Sequence, residues 1–297
     1  MLVYLDQNKW IELSRIVYGK NNAPDGQSAL AKVQKTLSEQ RVIFPLSAIH
    51  YMEIARISNK DRRARLAKVM WQISSGYTLA SYTNIVIHEC EMALSKFFEK
   101  VQMSDFQLIG RGIEHAFGEK FETTFPPHIN ELLEQSILSG VTPDGLKGPV
   151  FFGIENRTKF TAHLNGLSKI KRELPPDKWD DALYAIATVD IIEPLKVVML
   201  KSGISPAEIG SLGKDNLRSI VENMPSRFTD VHLHRQMLKN PNLSSKISDL
   251  EDWAGLGVYA QYCDLVICEK HFANLILRDG FKTKAEIKSD IAYLNEL

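Results

Sequence analysis

The residues best suited to chemistry in this chain are carboxylates, and they stand near its two ends. Asp6 directly follows the apolar run 2–5 (LVYL), in MLVYLDQNKWIEL, with Asn8 two residues on. A carboxylate at the carboxyl end of a buried parallel strand sits where open α/β sheets place their sites. The same Asp6 also suits the N-cap of a following helix, and the sequence leaves both roles open. Glu53 lies about two turns into SAIHYMEIARI, among Ile49, Met52, Ile54 and Ile57. A carboxylate on that side of a helix needs a partner, a metal or a raised pKa. Near the other end, Asp249 and Asp252 open the segment DLEDWAGLGVYAQY, and Asp264 and Glu269 flank the apolar run LVIC.

The elements that must position these acids follow from periodicity. Residues 2–5 are rich in strand formers, and Trp10, Ile11, Leu13, Ile16 and Val17 recur at helical spacing. Residues 21–28 (NNAPDGQS) form a loop before a helix over about 29–39. Residues 41–46 (RVIFPL) read as a second strand ended by Pro45, with Ser47 as N-cap of the helix bearing Glu53. Ser248/Glu251 and Asp249/Asp252 both match a capping-box spacing at the start of the late helix. LVIC is then a strand, HFANLIL a helix, Ile287 part of a last short strand, and 290–297 a terminal helix. Three segments thus share one plan, a carboxylate at the junction of strand and helix or on the helix beside it.

Composition bounds the rest. With 297 residues, 44% hydrophobic and 24% charged, the chain can form a sizeable core as one large domain or two ordinary ones. Its formal net charge is zero, which excludes coating of nucleic acid by bulk charge but not a local basic groove. Cys90, Cys263 and Cys268 form no CxxC pair, so neither a disulfide framework nor a cysteine zinc site is expected, and a reducing cytoplasm fits. No leader-like opening and no apolar run near 18 residues occurs, so no membrane span is expected. No P-loop, dinucleotide fingerprint or GxSxG elbow is present.

Between the two ends the pattern is helical. A basic amphipathic helix at 61–74 carries Arg62, Arg63, Arg65 and Lys68, either a solvated face or a phosphate contact. Helices are expected near 85–101, 128–139, 157–172, 178–202 and 206–223, divided by Pro and Gly punctuation. His232 and His234, two apart in VHLHR, would share a face on a strand. Arg227, Arg235 and Lys239 around them are candidate nucleic-acid contacts. His50 reads as packing near Glu53, His271 as a rim residue, and the tryptophans and the pairs Phe97-Phe98 and Phe151-Phe152 as core.

Taken together, LDQNKWIEL, SAIHYMEIARI and DWAGLGVYAQYCDLVICEKHF resemble the PIN-domain nuclease family. The resemblance covers roughly 1–80 and 246–297. It implies a PIN-like α/β core with a central parallel sheet flanked by helices, and a large, mostly helical insertion or lid over 81–245. Asp6 then matches the first acid, Asn8 its polar neighbour and Glu53 the helix acid. Asp252 matches the third acid, with Asp249 able to share or replace it. Glu269 stands where the family often has a fourth acid, usually Asp, and Asp264 matches an acid before the last core strand. The implied activity is metal-dependent endoribonuclease cleavage. Asp6, Glu53, Asp252 and Glu269 would hold Mg²⁺ or Mn²⁺, since hard cations prefer oxygen ligands. RNA is the implied substrate, and many such proteins are toxins, so an antitoxin or regulatory partner and a homodimer are among the expectations. Two other readings stand beside this one. A phosphohydrolase of haloacid-dehalogenase type would use Asp6 as nucleophile but wants Asp where Asn8 stands. A non-catalytic scaffold on a degenerate PIN-like fold would use the helical middle as its binding surface.

Overall fold

Val3, Tyr4 and Leu5 are all buried, as a strand covered on both faces requires. The computed structural model describes residues 1–20, 23–120, 126–140, 170–239 and 249–297. In chain order, β1 (Val3–Leu5) leads into α1 (Gln7–Val17), α2 (Pro24–Ser38), α3 (Ala48–Ala55), α4 (Lys60–Ser74) and β2 (Tyr77–Leu79). Then come α5 (Tyr82–Leu94), β3 (Ile109–Arg111), α6 (Gly112–Phe117) and α7 (Pro127–Leu138). After these follow α8 (Trp179–Asp190), α9 (Ile192–Ser202), α10 (Pro206–Ser211), α11 (Gly213–Glu222) and α12 (Pro225–Lys239). The chain closes with α13 (Asp249–Tyr262), β4 (Leu265–Ile267), α14 (Lys270–Ile276), β5 (Glu286–Lys288) and a 3₁₀ segment, Ile291–Glu296. The fold is mixed α/β and mostly helical, with a small parallel sheet.

That sheet has the order β1-β4-β5, so strands from opposite ends of the chain lie side by side. Val3, Tyr4 and Leu5 stand opposite Leu265, Val266 and Ile267, which in turn face Glu286, Ile287 and Lys288. The alternation of a strand splits the core into two layers. Val3, Leu5, Leu265 and Ile267 join Trp10, Leu13, Val33 and Met70 beneath α1, α2 and α4. Tyr4, Val266 and Ile287 join Trp253, Leu256, Tyr259 and Phe272 beneath α13 and α14. A third cluster, including Val86, Cys90, Leu183, Val198 and Val221, gathers α5, α8, α9, α11 and α12.

Residues 41–46 lie along the outer edge of β1, but as an extended segment rather than the expected full strand. Ile43 pairs with the start of β1 through Val3 N–H to Ile43 O and Ile43 N–H to Met1 O, each 2.9 Å. Pro45 has no N–H to donate, and pairing resumes only where Leu46 meets β2. β2 and β3, antiparallel and three residues each, were not anticipated. The expected helix over 178–202 breaks at Ile191, and that over 206–223 divides at Leu212. The helix expected to reach residue 101 ends at Leu94, and the terminal helix is 3₁₀. Most of the helix expected at 157–172, and Phe151-Phe152, lie outside the described residues. Among the described residues no helix is long and apolar enough to cross a membrane.

Candidate functional site

Asp6 extends β1 by one more rung, its N–H donating to Ile267 O at 3.0 Å. It is also the N-cap of α1, its Oδ1 accepting from Gln7 N–H at 2.6 Å. Asp6 therefore caps α1 from a position at the carboxyl end of β1. Asp6 is buried, in the wall of a cleft with Tyr4, Ile49, Leu256, Tyr259 and Phe272. Asn8, in the first turn of α1, donates from Nδ2 to Oε1 of Glu269. Glu269 is exposed, at the N-cap of α14 two residues beyond β4. A carboxylate from each of two adjacent parallel strands thus reaches the same carboxyl edge of the sheet, with an amide joining α1 to the second of them.

The helix carrying Glu53 is fastened to the same edge by His50. The buried imidazole accepts from Ser47 N–H through Nδ1 at 3.0 Å, and its Nε2–H donates to Leu5 O at 2.9 Å. It stacks on Tyr4, ring centres 5.0 Å apart, and meets Trp10 edge-on. Burial lowers its pKa from 6.5 to about 4, so it stays neutral. Glu53 follows one turn later on α3, half-buried. Tyr259 stands against Tyr4, ring centres 3.5 Å apart, and its hydroxyl donates to Ser47 Oγ at 2.9 Å. Burial above all, with a further contribution from the Glu53 charge, raises the pKa of that hydroxyl. Tyr4, His50 and Tyr259 thus form an aromatic wall that links β1, α3 and α13, and Tyr4 and Tyr259 line the cleft that holds Asp6. Sequence reading missed Tyr259 as part of the site; its place seven residues after Asp252, two helical turns, was the available signal.

α13 ends next to the amino end of β4, so it runs back over the sheet and brings Leu256 into the cleft beside Asp6. Asp252 occupies the helical position one turn before Leu256, and Asp249 one turn earlier still. The side chains of Asp249 and Asp252 lie outside the described part of the structure, as does Ser248. Among the described residues no three His, Cys, Asp or Glu side chains are grouped to hold a metal ion. The side-chain contact that joins two of the expected site residues at the sheet edge is the Asn8 amide on the Glu269 carboxylate.

Other expected site residues lie elsewhere. Asp264 stands at the amino end of β4, opposite to Asp6. Its Oδ2 accepts from Leu2 N–H at 2.7 Å and its Oδ1 lies 3.3 Å from Lys284 Nζ, so it clasps the strand beginnings together. The Leu2 hydrogen bond above all, opposed by burial and aided by Lys284, holds its carboxyl below the usual range. Arg227 is buried, and its guanidinium donates to Tyr82 Oη, Asp230 Oδ2 and Asp190 Oδ2 at 2.6, 2.7 and 2.9 Å. That places it out of reach of a phosphate. Arg235 pairs with Asp180 at 2.7 Å, and Lys239 with Asp279 at 2.6 Å. The HxH pair lies on α12, not on a strand, so the two rings diverge. His232 bonds Ile276 O at 3.1 Å and stacks on Phe281, while His234 stacks on Trp253. His271 is exposed at the start of α14, edge-on to Phe272.

Comparison with protein-family models, with curated proteins and with solved structures gives no match to this chain.

Proposed function

We propose that this chain is a divalent-cation-dependent nuclease with a PIN-like core that hydrolyses phosphodiester bonds in RNA. The observation that carries the reading is the Asn8–Glu269 hydrogen bond. It joins the carboxyl ends of β1 and β4 beside Asp6, with residues almost the length of the chain apart in sequence. A structural cap needs Asp6 alone; it does not need a second carboxylate and an amide at the same edge. Asp6 and Glu269 would hold Mg²⁺ or Mn²⁺ together with Glu53 and with Asp252 or Asp249. The cation, when bound, supplies Lewis acidity toward the phosphate and a water-derived nucleophile at neutral pH.

The chain's own residues do the positioning. Asn8 fixes the Glu269 carboxylate by donating to one of its oxygens. His50 holds the first turn of α3 on Leu5 O, and so sets where Glu53 stands. The aromatic wall removes water from the back of Asp6, which strengthens the attraction of that carboxylate for a cation. Incubation of the purified chain with end-labelled RNA and single-stranded DNA in Mn²⁺ tests the reading. Asp6→Asn should lower cleavage by more than about 100-fold, beyond what loss of an outer partner of a metal ligand costs, with an unchanged circular dichroism spectrum. Wild-type cleavage by that variant would overturn the proposal.

A further inference from the structure

The basic helix noted in the sequence, α4, packs beside α1, and the two enclose a groove of about 310 Å³. Among the described residues its lining includes four cations, Arg15, Lys20, Arg62 and Arg65, and no carboxylate. Among the described residues none of the four forms an ion pair with an acid. This differs from Arg227, Arg235 and Lys239, whose charges are already answered. In a chain of zero formal net charge, such a group is a local concentration of positive potential. Arg62 and Arg65 are exposed or half-buried on one face of α4, so substituting them does not open the core. Tyr18, 39% exposed, forms part of the wall, with the Arg65 guanidinium 5.9 Å from its ring centre.

The groove is also placed relative to the acids. Asn8, Ile11, Arg15 and Tyr18 are spaced by three, four and three residues, so they share one face of α1. Asn8 is at the sheet edge with Glu269, and the helical rise puts Arg15 about 10 Å and Tyr18 about 15 Å beyond it. Glu12, the acid on α1, is paired with Lys9 at 3.5 Å.

We infer that this groove binds single-stranded nucleic acid, with phosphates on Arg15, Lys20, Arg62 and Arg65 and a base against Tyr18, leading the strand along α1 to the acids. The exposed aromatic beside separate point charges favours a single strand over an acidic peptide, because unstacked bases offer π-faces and peptide carboxylates do not. The inference rests on the nuclease reading only for where the strand leads; binding without a cation is measured separately.

Fluorescence anisotropy with a short labelled single-stranded RNA in EDTA, over a range of salt, tests it. Arg15→Gln with Arg62→Gln should weaken binding at least about tenfold and reduce the salt slope by about 1.4, that is about 0.7 for each phosphate no longer neutralised. Tyr18→Ala should weaken binding about fivefold or more at an unchanged slope. Lys35→Gln, an exposed side chain of α2, should change neither. Lys20→Gln, beyond the end of α1, repeats the slope measurement with a single exposed side chain should the double variant fail to fold. Wild-type affinity and slope in the groove variants would overturn the inference. So would polyglutamate displacing the RNA at equal charge, or duplex RNA binding as tightly and without regard to Tyr18. Asp6→Asn should keep full binding while losing cleavage. RNA binding that depends on the groove in a chain that cuts nothing would refute the nuclease reading and leave this one standing.

Discussion

His50 shows how one buried side chain can place another that does chemistry. From the sequence it is a packing residue one turn before Glu53, and packing describes it in part. What the sequence does not show is that both ring nitrogens are committed, one to Ser47 N–H and one to Leu5 O. His50→Leu fills similar volume but strands both partners, at a cost of about 2 kcal/mol or more at neutral pH. The pH dependence carries a sign. Burial depresses the His50 pKa to about 4 from an ordinary 6.5, so the unfolded chain takes up the proton first as pH falls. Its contribution is therefore complete above about pH 6.5 and is lost progressively down to about pH 4. That gap is worth about 3 kcal/mol. Urea unfolding at pH 7 and pH 4.5 should show a steeper loss in the wild-type chain than in His50→Leu. Equal losses would mean that His50 is not held neutral. Asp6 illustrates the converse: its strand-end position was legible because an apolar run precedes it, whereas the partner of Asn8 was not, since hydrogen bonds across a parallel sheet leave no local spacing signal.

Among the elements, those that read correctly are marked by an apolar run, a buried apolar residue or helical periodicity. β1, α1, α3, β4 and β5 fall in this group, and they also build the sheet edge. β2 (YTL) and β3 (IGR) were missed because neither carries the unbroken apolar run that marks β1 and β4, which are equally short. In α12 the strand reading of VHLHR fails, since it is a helix buried on several sides, while the packing of both histidines accords with a structural role. Arg227 decides the matter. Its three acceptors lie on α5, α8 and α12, so it ties helices together rather than meeting solvent. Arg227→Ala should destabilise the chain by about 3–5 kcal/mol, because it leaves the Asp230 carboxylate buried without its cation. The same variant, below its unfolding temperature, should keep the salt slope of RNA binding. A shallower slope with unchanged stability would restore Arg227 to a nucleic-acid surface. Gly257 makes the same point for the packing of α12 on α13. A Cβ there would stand 2.6 Å from Asp230 Oδ1 and 3.0 Å from the Ser226 carbonyl oxygen. Backbone cannot withdraw as a flexible side chain can, so Gly257→Ala should cost about 1–3 kcal/mol, read as a lower urea midpoint at unchanged slope.

At the scale of the molecule, the described part of the middle of the chain is bound into the layers that carry the sheet. Read from sequence, 81–245 is an insertion or lid. In the structure, Glu89 of α5 is wholly buried and accepts from Ser226 N–H, Ser226 Oγ and Tyr262 Oη at 2.9, 2.7 and 2.7 Å. One carboxylate thereby fastens α5 to α12 and to α13. Gln261 of α13 donates to Thr229 Oγ1 of α12 at 2.9 Å, and His234 stacks on Trp253. β3, from the middle, also pairs with β2, from the first piece. Replacing 81–245 with a flexible linker would therefore uncover the outer side of α13 and strand its polar groups. We expect that shortened chain to lose its near-ultraviolet circular dichroism and its cooperative urea transition. The full chain should unfold with coincident transitions by tryptophan fluorescence and far-ultraviolet circular dichroism. A cooperative transition in the shortened chain, with a denaturant slope reduced in proportion to the smaller buried surface, would instead make the middle a dispensable lid. The first result would mean that α13, which carries Asp249 and Asp252, owes its position to helices far from the acids, so that the sheet edge is built by the whole molecule.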